Sequence, residues 1–167
     1  MKLSTRVRYG TRAMIDVGLH CADGPVHLND IAGRLQVSRK YLEHQTSRLE
    51  AAGLLRSRRG ARGGMSLARP PSEIRLSDIF QTLEGQIPLA DCVDSPDQCP
   101  RSSTCAARDL WMEMGQLLAT FLESKTLEDL CRQQREKERP ARPVALSAAM
   151  VGRRTSGKRR TGASLGR

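Results

Sequence analysis

Residues 26–55 read VHLNDIAGRLQVSRKYLEHQTSRLEAAGLL, and the way this stretch folds decides the rest of the chain. Apolar residues recur at helical spacing on both sides of Gln36-Val37, so the pattern predicts two short helices around a tight break. Asn29 is the expected N-cap of the first, which runs through Leu35. Ser38 caps the second, which reaches about Ala52 and is stopped by Gly53. Two helices joined by so small a turn make a helix-turn-helix unit. Its expected core face is Ile31, Ala32, Leu35, Val37, Leu42 and Leu49, with the small Ala32 where the helices approach closely.

Outward from this unit, residues 4–22 fit a helix capped by Ser4 or Thr5, with Val7, Ala13, Met14, Val17 and Cys21 on one face and Asp23-Gly24-Pro25 as its stop. On the other side the period changes. LLRSRRGARGGMSLARP, residues 54–70, alternates apolar and polar residues about a centre rich in glycine and arginine, which predicts two strands and a hairpin loop, closed by Pro70-Pro71. A basic hairpin directly after a helix-turn-helix is a wing. Ser77 to Glu84 reads as one more short helix, capped by Ser77 and ended by Gly85. A polar loop with three cysteines follows, then a long helix over Ala106 to Glu123, then a helical turn or two from Thr126 to about Gln133. The remainder, rich in Arg, Gly, Ser, Pro and Ala, reads as disordered.

The expected fold class is therefore mainly α: a winged helix-turn-helix domain (1–85) with a small β-hairpin wing, a cysteine-rich loop (86–105), a long dimerisation helix with a short terminal helix (106–134), and a basic tail (135–167). The long helix carries Leu110, Trp111, Met114, Leu117, Leu118, Phe121 and Leu122. That stripe is wider than packing on one side requires, so Leu110, Met114, Leu117 and Phe121 are assigned to a homodimer interface rather than to core. At 167 residues the chain has material for one ordinary domain with an appendage. No continuous apolar stretch follows the basic N-terminal residues, and no apolar run reaches the roughly 18 residues of a membrane span. The expectation is a cytoplasmic protein without membrane contact, whose thiols stay reduced.

The chain has 28 Lys and Arg against 18 Asp and Glu, for a net charge of +10. Ten of those bases and two of those acids lie between Arg135 and Arg167, which leaves the first 134 residues with 18 bases against 16 acids. Within this nearly neutral body, the segment from Arg34 to Arg69 concentrates nine bases against Glu43 and Glu50. A solvated basic face would account for the count alone; the helix-turn-helix around it points instead to a polyanion partner, double-stranded DNA. A helix entering the major groove reads bases and phosphates from its N-terminal end, where Ser38, Arg39, Lys40 and Tyr41 stand, with His44 one turn on. Arg39 and Lys40 suit phosphates or guanine acceptors, and Tyr41 suits a phosphate through its hydroxyl. In the wing, Arg58, Arg59 and Arg62 sit among glycines including Gly60, so the backbone can approach DNA and an arginine can enter the minor groove. Glu43 on this surface either repels unfavoured sequences or pairs with a neighbouring base.

These residues carry a resemblance. MKLSTRVRYGTRAMIDVGLH at 1–20, VSRKYLEHQTSRL at 37–49, the RGARGG wing at 59–64 and three cysteines followed by RDLW resemble the Rrf-two superfamily of bacterial winged-helix transcription regulators. Within it the closer likeness is to the cluster-binding branch, IscR/NsrR-like, over about residues 1–134. The resemblance implies a homodimer, joined through the long helix, that binds a palindromic operator with two recognition helices and two wings.

Cys92, Cys99 and Cys105 form a Cx6Cx5C arrangement in DCVDSPDQCPRSSTC, residues 91–105. Thiolates select iron-sulfur clusters or zinc over harder ions. Structural zinc usually shows CxxC knuckles and a clear fourth Cys or His, and this loop has neither. Three free thiols are the plain alternative. By resemblance the three cysteines are ligands of an iron-sulfur cluster, [2Fe-2S] ahead of [4Fe-4S]. The chain departs from its relatives at the fourth ligand, because the position three residues after the last cysteine, a His in the cluster regulator, is Arg108, which cannot coordinate a metal. Nor does the N-terminal region supply the acid used by some nitric-oxide sensors; it offers Arg8 and Arg12. Asp91, Asp94, Asp97, Asp109, water or a small thiol are left as candidates. Cys21, Cys131, His20, His27 and His44 are assigned no metal.

The expected function is a transcriptional repressor whose operator affinity is switched by a cluster sensing iron-sulfur status, redox state or nitric oxide. The alternative is a cluster-free repressor under a thiol switch or a protein partner. An enzyme is excluded by the missing CxxC, the missing glycine-rich nucleotide loop and the lack of a Ser, His and acid constellation near the loop.

Overall fold

In the computed structural model, which describes residues 3–60, 62–85 and 89–139, Ser4 opens the first helix, α1 (Thr5–His20), its hydroxyl oxygen accepting the Val7 N–H at 3.3 Å. A 3-10 turn at Cys21–Asp23 ends it, so Cys21 sits half-buried in that turn rather than in the helix. Two helices follow, α2 (Leu28–Leu35) and α3 (Arg39–Ala51), then strands β1 (Leu55–Arg58) and β2 (Gly64–Leu67). Helix α4 (Leu76–Glu84), the short α5 (Asp91–Asp94), the long α6 (Ala106–Ser124) and α7 (Leu127–Glu138) complete the order. The fold is the mainly helical winged helix anticipated above.

The core is built from one face of each element. Val7, Ala13, Met14 and Val17 of α1 meet Ile31 and Ala32 of α2, Leu42 and Leu49 of α3, Ile79 and Leu83 of α4, and Leu127 and Cys131 of α7, all buried. Gly10 makes room for this packing: a Cβ there would lie 2.3 Å from Leu83 Cδ1. Leu35 and Val37, expected in the core, are only partly buried against it. The wing strands pair antiparallel, with Leu55 opposite Leu67 and Arg58 opposite Gly64. Val26 extends the ladder by one bridge, exchanging bonds of 2.8 and 2.7 Å with Met65.

Three further helix boundaries differ from expectation, the first two for tertiary reasons and the third for local ones. Helix α2 starts after His27, not Asn29, because the Val26–Met65 bridge fixes the chain up to that point. Helix α4 starts after Arg75, not Ser77, because Arg75 bridges Thr126 and the Leu76 N–H donates to the Lys125 carbonyl at 3.0 Å. Helix α7 continues past Gln133 to Glu138, with Thr126 as its cap, Arg135 and Lys137 in its last turn, and Gln134 bonded to Glu138 at 2.8 Å. Of the expected disordered tail, residues 140–167 lie outside the described residues, as do 86–88 of the cysteine loop. Among the described residues no helix is long and apolar enough to cross a membrane.

Candidate nucleic-acid interface and thiol loop

The turn between α2 and α3 closes through Gln36, which adopts a left-handed conformation (φ 54°) while the Val37 N–H donates to the Ala32 carbonyl at 3.1 Å. Ser38 then caps α3, accepting the Tyr41 N–H at 3.2 Å. This cap aims the first turn outward. Arg39 and Lys40 are exposed in that first turn, and His44 is exposed one turn on. Tyr41 is different: it is half-buried, its ring meets Tyr9 of α1 edge to face with centroids 5.8 Å apart, and its buried hydroxyl has no partner among the described residues. Tyr9 in turn lies under the guanidinium groups of Arg8 and Arg12, at 5.9 and 5.4 Å from its ring centre. Neither Tyr9 nor this support is legible in the sequence, since no local spacing connects residues so far apart in the chain.

The wing lies against α3 through β1. Arg58, Arg59, Gly60 and Arg62 are exposed at its tip, and Gly60 holds φ 105°, which a side chain would resist. Gly63, one of the wing glycines, is the stricter requirement: a Cβ there would fall 2.2 Å from the Arg58 carbonyl oxygen. Glycine repeats mark such turns, but which glycine is indispensable depends on the close backbone approach itself.

Among the described residues, the cations of the reading helix and wing tip stand clear of acids, as do several elsewhere on the chain. Arg6, Arg34, Arg69 and Arg132 each pair with an acid, at 3.5, 2.7, 3.2 and 2.6 Å. Arg39, Lys40, Arg58, Arg59 and Arg62 make no ion pair among the described residues, and neither does the exposed Glu43. The reading helix and wing thus present cations whose charge the rest of the chain leaves uncompensated, which is what phosphate neutralisation needs.

The cysteine loop is more ordered than its composition suggests. Cys92 lies in α5, Cys99 follows a 3-10 turn at Pro96–Gln98, and Cys105 is the residue before α6; all three are half-buried and free. Arg108 Nε donates to the Cys92 carbonyl at 2.9 Å. Among the described residues no group of three or more His, Cys, Asp or Glu is arranged to hold a metal ion, so the three sulfurs are not gathered about one point, and Asp91, Asp94, Asp97 and Asp109 are exposed. In kind the donors fit a thiophilic centre: three reduced sulfurs on one loop, with no harder ligand fixed between them. Cys131 is buried behind α1, near the Ile15 carbonyl at 3.8 Å, and burial pushes its thiol pKa up.

The apolar stripe of α6 divides. Leu122 is buried and Leu118 partly so against α4, whereas Leu110, Met114, Leu117 and Phe121 are 49%, 44%, 71% and 55% exposed. Four large apolar side chains at spacings of four, three and four residues form one open face.

A family model described as Rrf2, iron-dependent transcriptional regulator, matches residues 3–133. Protein rrf2 of Nitratidesulfovibrio vulgaris Hildenborough is 39% identical over 132 residues, 79% of this chain and 88% of that protein. The structure of T. potens IscR superposes with a TM-score of 0.70 at 33% identity, covering 84% of this chain and 93% of that one. The structure of CymR, the global cysteine regulator of B. subtilis, gives 0.68 at 36% identity, covering 80% and 98%.

Proposed function

The chain belongs to the Rrf2 family of DNA-binding transcriptional regulators, not to an enzyme family, and from that premise we propose that it is a cytoplasmic homodimeric repressor of a palindromic operator, switched by an iron-sulfur cluster on Cys92, Cys99 and Cys105. The observation that carries the DNA reading is the uncompensated cation set on α3 and the wing. Arg39 and Lys40 serve one half-site in the major groove, while Arg58, Arg59 and Arg62 serve the adjacent backbone and minor groove. The open face of α6, Leu110 to Phe121, joins two copies, so that two reading helices address the two half-sites. Beyond Arg135 the basic stretch adds attraction without sequence preference.

Support for the cluster comes from the three free thiols and from the likeness to an IscR structure. When bound, such a cluster supplies a centre sensitive to oxidation, nitric oxide and iron supply, [2Fe-2S] ahead of [4Fe-4S]. The loop that holds it runs from the end of α4, where the Leu83 carbonyl accepts a bond from Arg48 of α3 at 3.4 Å, to the start of α6. Loop and reading helix therefore share a neighbour, and only a difference in operator affinity between loop states can regulate. The second reading, a cluster-free repressor with a thiol switch or partner control, is favoured by the ungathered sulfurs and the likeness to CymR.

The test is binding of anaerobically purified protein to its own promoter, with a visible spectrum of the same sample. Coloured protein that loses its colour in Cys99→Ala and binds the promoter supports the sensor. Colourless protein with full, redox-insensitive binding supports the second reading.

A further inference from the structure

The geometry points to Arg108 as the positioning residue of the thiol loop: its guanidinium fastens the Cys92 turn to the first turn of α6, holding the segments of two cysteines together before any ion arrives. The inference rests on the reading of the loop as a thiolate site. Arg108 stands three residues after Cys105, where it can donate hydrogen bonds but never coordinate a metal.

Its bonds define the role it has taken instead. The side chain donates to the Cys92 carbonyl at 2.9 Å, across 16 positions of chain, while its own N–H donates to the Cys105 carbonyl at 3.0 Å. The second is the ordinary local bond of a first helical turn, so the side-chain bond to Cys92 is the one that spans the loop. Helix α5, which carries Cys92, packs on α6 at this point. Cys99 has no such spanning bond among the described residues: its N–H donates to Pro96 at 3.1 Å and its carbonyl accepts from Ser102 at 3.0 Å. The Cys92 turn is thus tied to the helix that Cys105 opens, which makes Cys92 and Cys105 the pair expected to bridge first.

The test uses the full chain without metal. Dibromobimane, which fluoresces on bridging two neighbouring thiols, is added and the bridged peptides are mapped by mass. The Cys92–Cys105 bridge forms fastest in the native sequence; Arg108→Ala slows it about tenfold, the worth of one charge-assisted hydrogen bond, and Arg108→Lys recovers part of the rate. Circular dichroism checks that helix content is unchanged. Titration with Co2+, read by its thiolate charge-transfer band, shows affinity about tenfold weaker in Arg108→Ala by the same reasoning. Bridging in Arg108→Ala at the native rate, or Cys99 bridging as fast as the Cys92–Cys105 pair, overturns the inference. Native bridging as described, with no uptake of Co2+ or of a cluster, keeps Arg108 in its role and removes the cluster from the function.

Discussion

Asp16 and Arg34 meet in a two-pronged ion pair, Arg34 Nε donating to Oδ1 and Nη2 to Oδ2, each at 2.7 Å. The bond to Asp16 holds the Arg34 guanidinium charged, its pKa above the ordinary value. This pair fastens the last turn of α2 to α1, so it fixes the first half of the helix-turn-helix to the scaffold. Asp16 is buried, with a side chain 9% exposed, whereas Arg34 reaches solvent. Arg34→Met leaves a buried carboxylate whose remaining ion-pair partner among the described residues is the His20 ring, at 3.8 Å. We expect a loss of about 2–3 kcal/mol in urea unfolding; a loss below about 0.5 kcal/mol, the usual size of a surface substitution, contradicts this role for the pair.

Gln36 is the one described residue other than glycine with positive φ. A left-handed conformation is strained for a residue with a Cβ, by about 1 kcal/mol. Gln36→Gly relieves that strain at the α2–α3 turn, and a gain of about 0.5–1 kcal/mol in thermal or urea unfolding is expected. A destabilised variant would mean that the glutamine side chain holds the turn.

Asp129 accepts the N–H and the hydroxyl of Thr126 at the start of α7, and these bonds, with Arg132, hold its pKa below the ordinary aspartate value. As pH falls the unfolded chain takes up the proton first. The contribution of this cap is therefore complete above the ordinary aspartate range and is lost as pH drops through it toward the lower folded value. Asp129→Asn should flatten the acid limb of the stability profile below about pH 4 and leave the neutral limb parallel to the native one. An unchanged acid limb would show that Asp129 contributes no such linkage.

Leu117, the most exposed large apolar residue of α6, stands at the centre of the proposed interface. Leu117→Glu places a charge where two copies would meet. Sedimentation should show a monomer, and operator binding should weaken on the order of thirtyfold, about 2 kcal/mol for an interface anchor. A persistent dimer with native affinity places the contact elsewhere.

What could be read from the sequence follows from the range of each interaction. Ser4 and Ser38 were legible as caps because a cap bonds three residues on. Gly85, at φ 82°, was legible because helices stop there for a backbone reason. The starts of α2 and α4 were not, since the bridges Val26–Met65 and Arg75–Thr126 set them from distant parts of the chain. The α6 stripe was legible as apolar; its division into Leu118 and Leu122 against α4 and Leu117 and Phe121 in the open required the packing itself. Within the candidate site, Arg39, Lys40 and the wing arginines followed from motif and charge. Tyr9 beneath Tyr41 and Arg108 on Cys92 did not, because no periodicity links those pairs.

Under the proposed function, the state of the thiol loop changes the grip on DNA. The most direct test is the dissociation constant for the chain's own promoter, measured anaerobically at one salt concentration for the coloured protein and for the same protein after chelation. A difference of about tenfold is expected, within the 1–3 kcal/mol typical of coupled sites, and it disappears in Cys92→Ala, Cys99→Ala and Cys105→Ala. Equal affinities before and after chelation, in protein shown to have carried the cluster, contradict it.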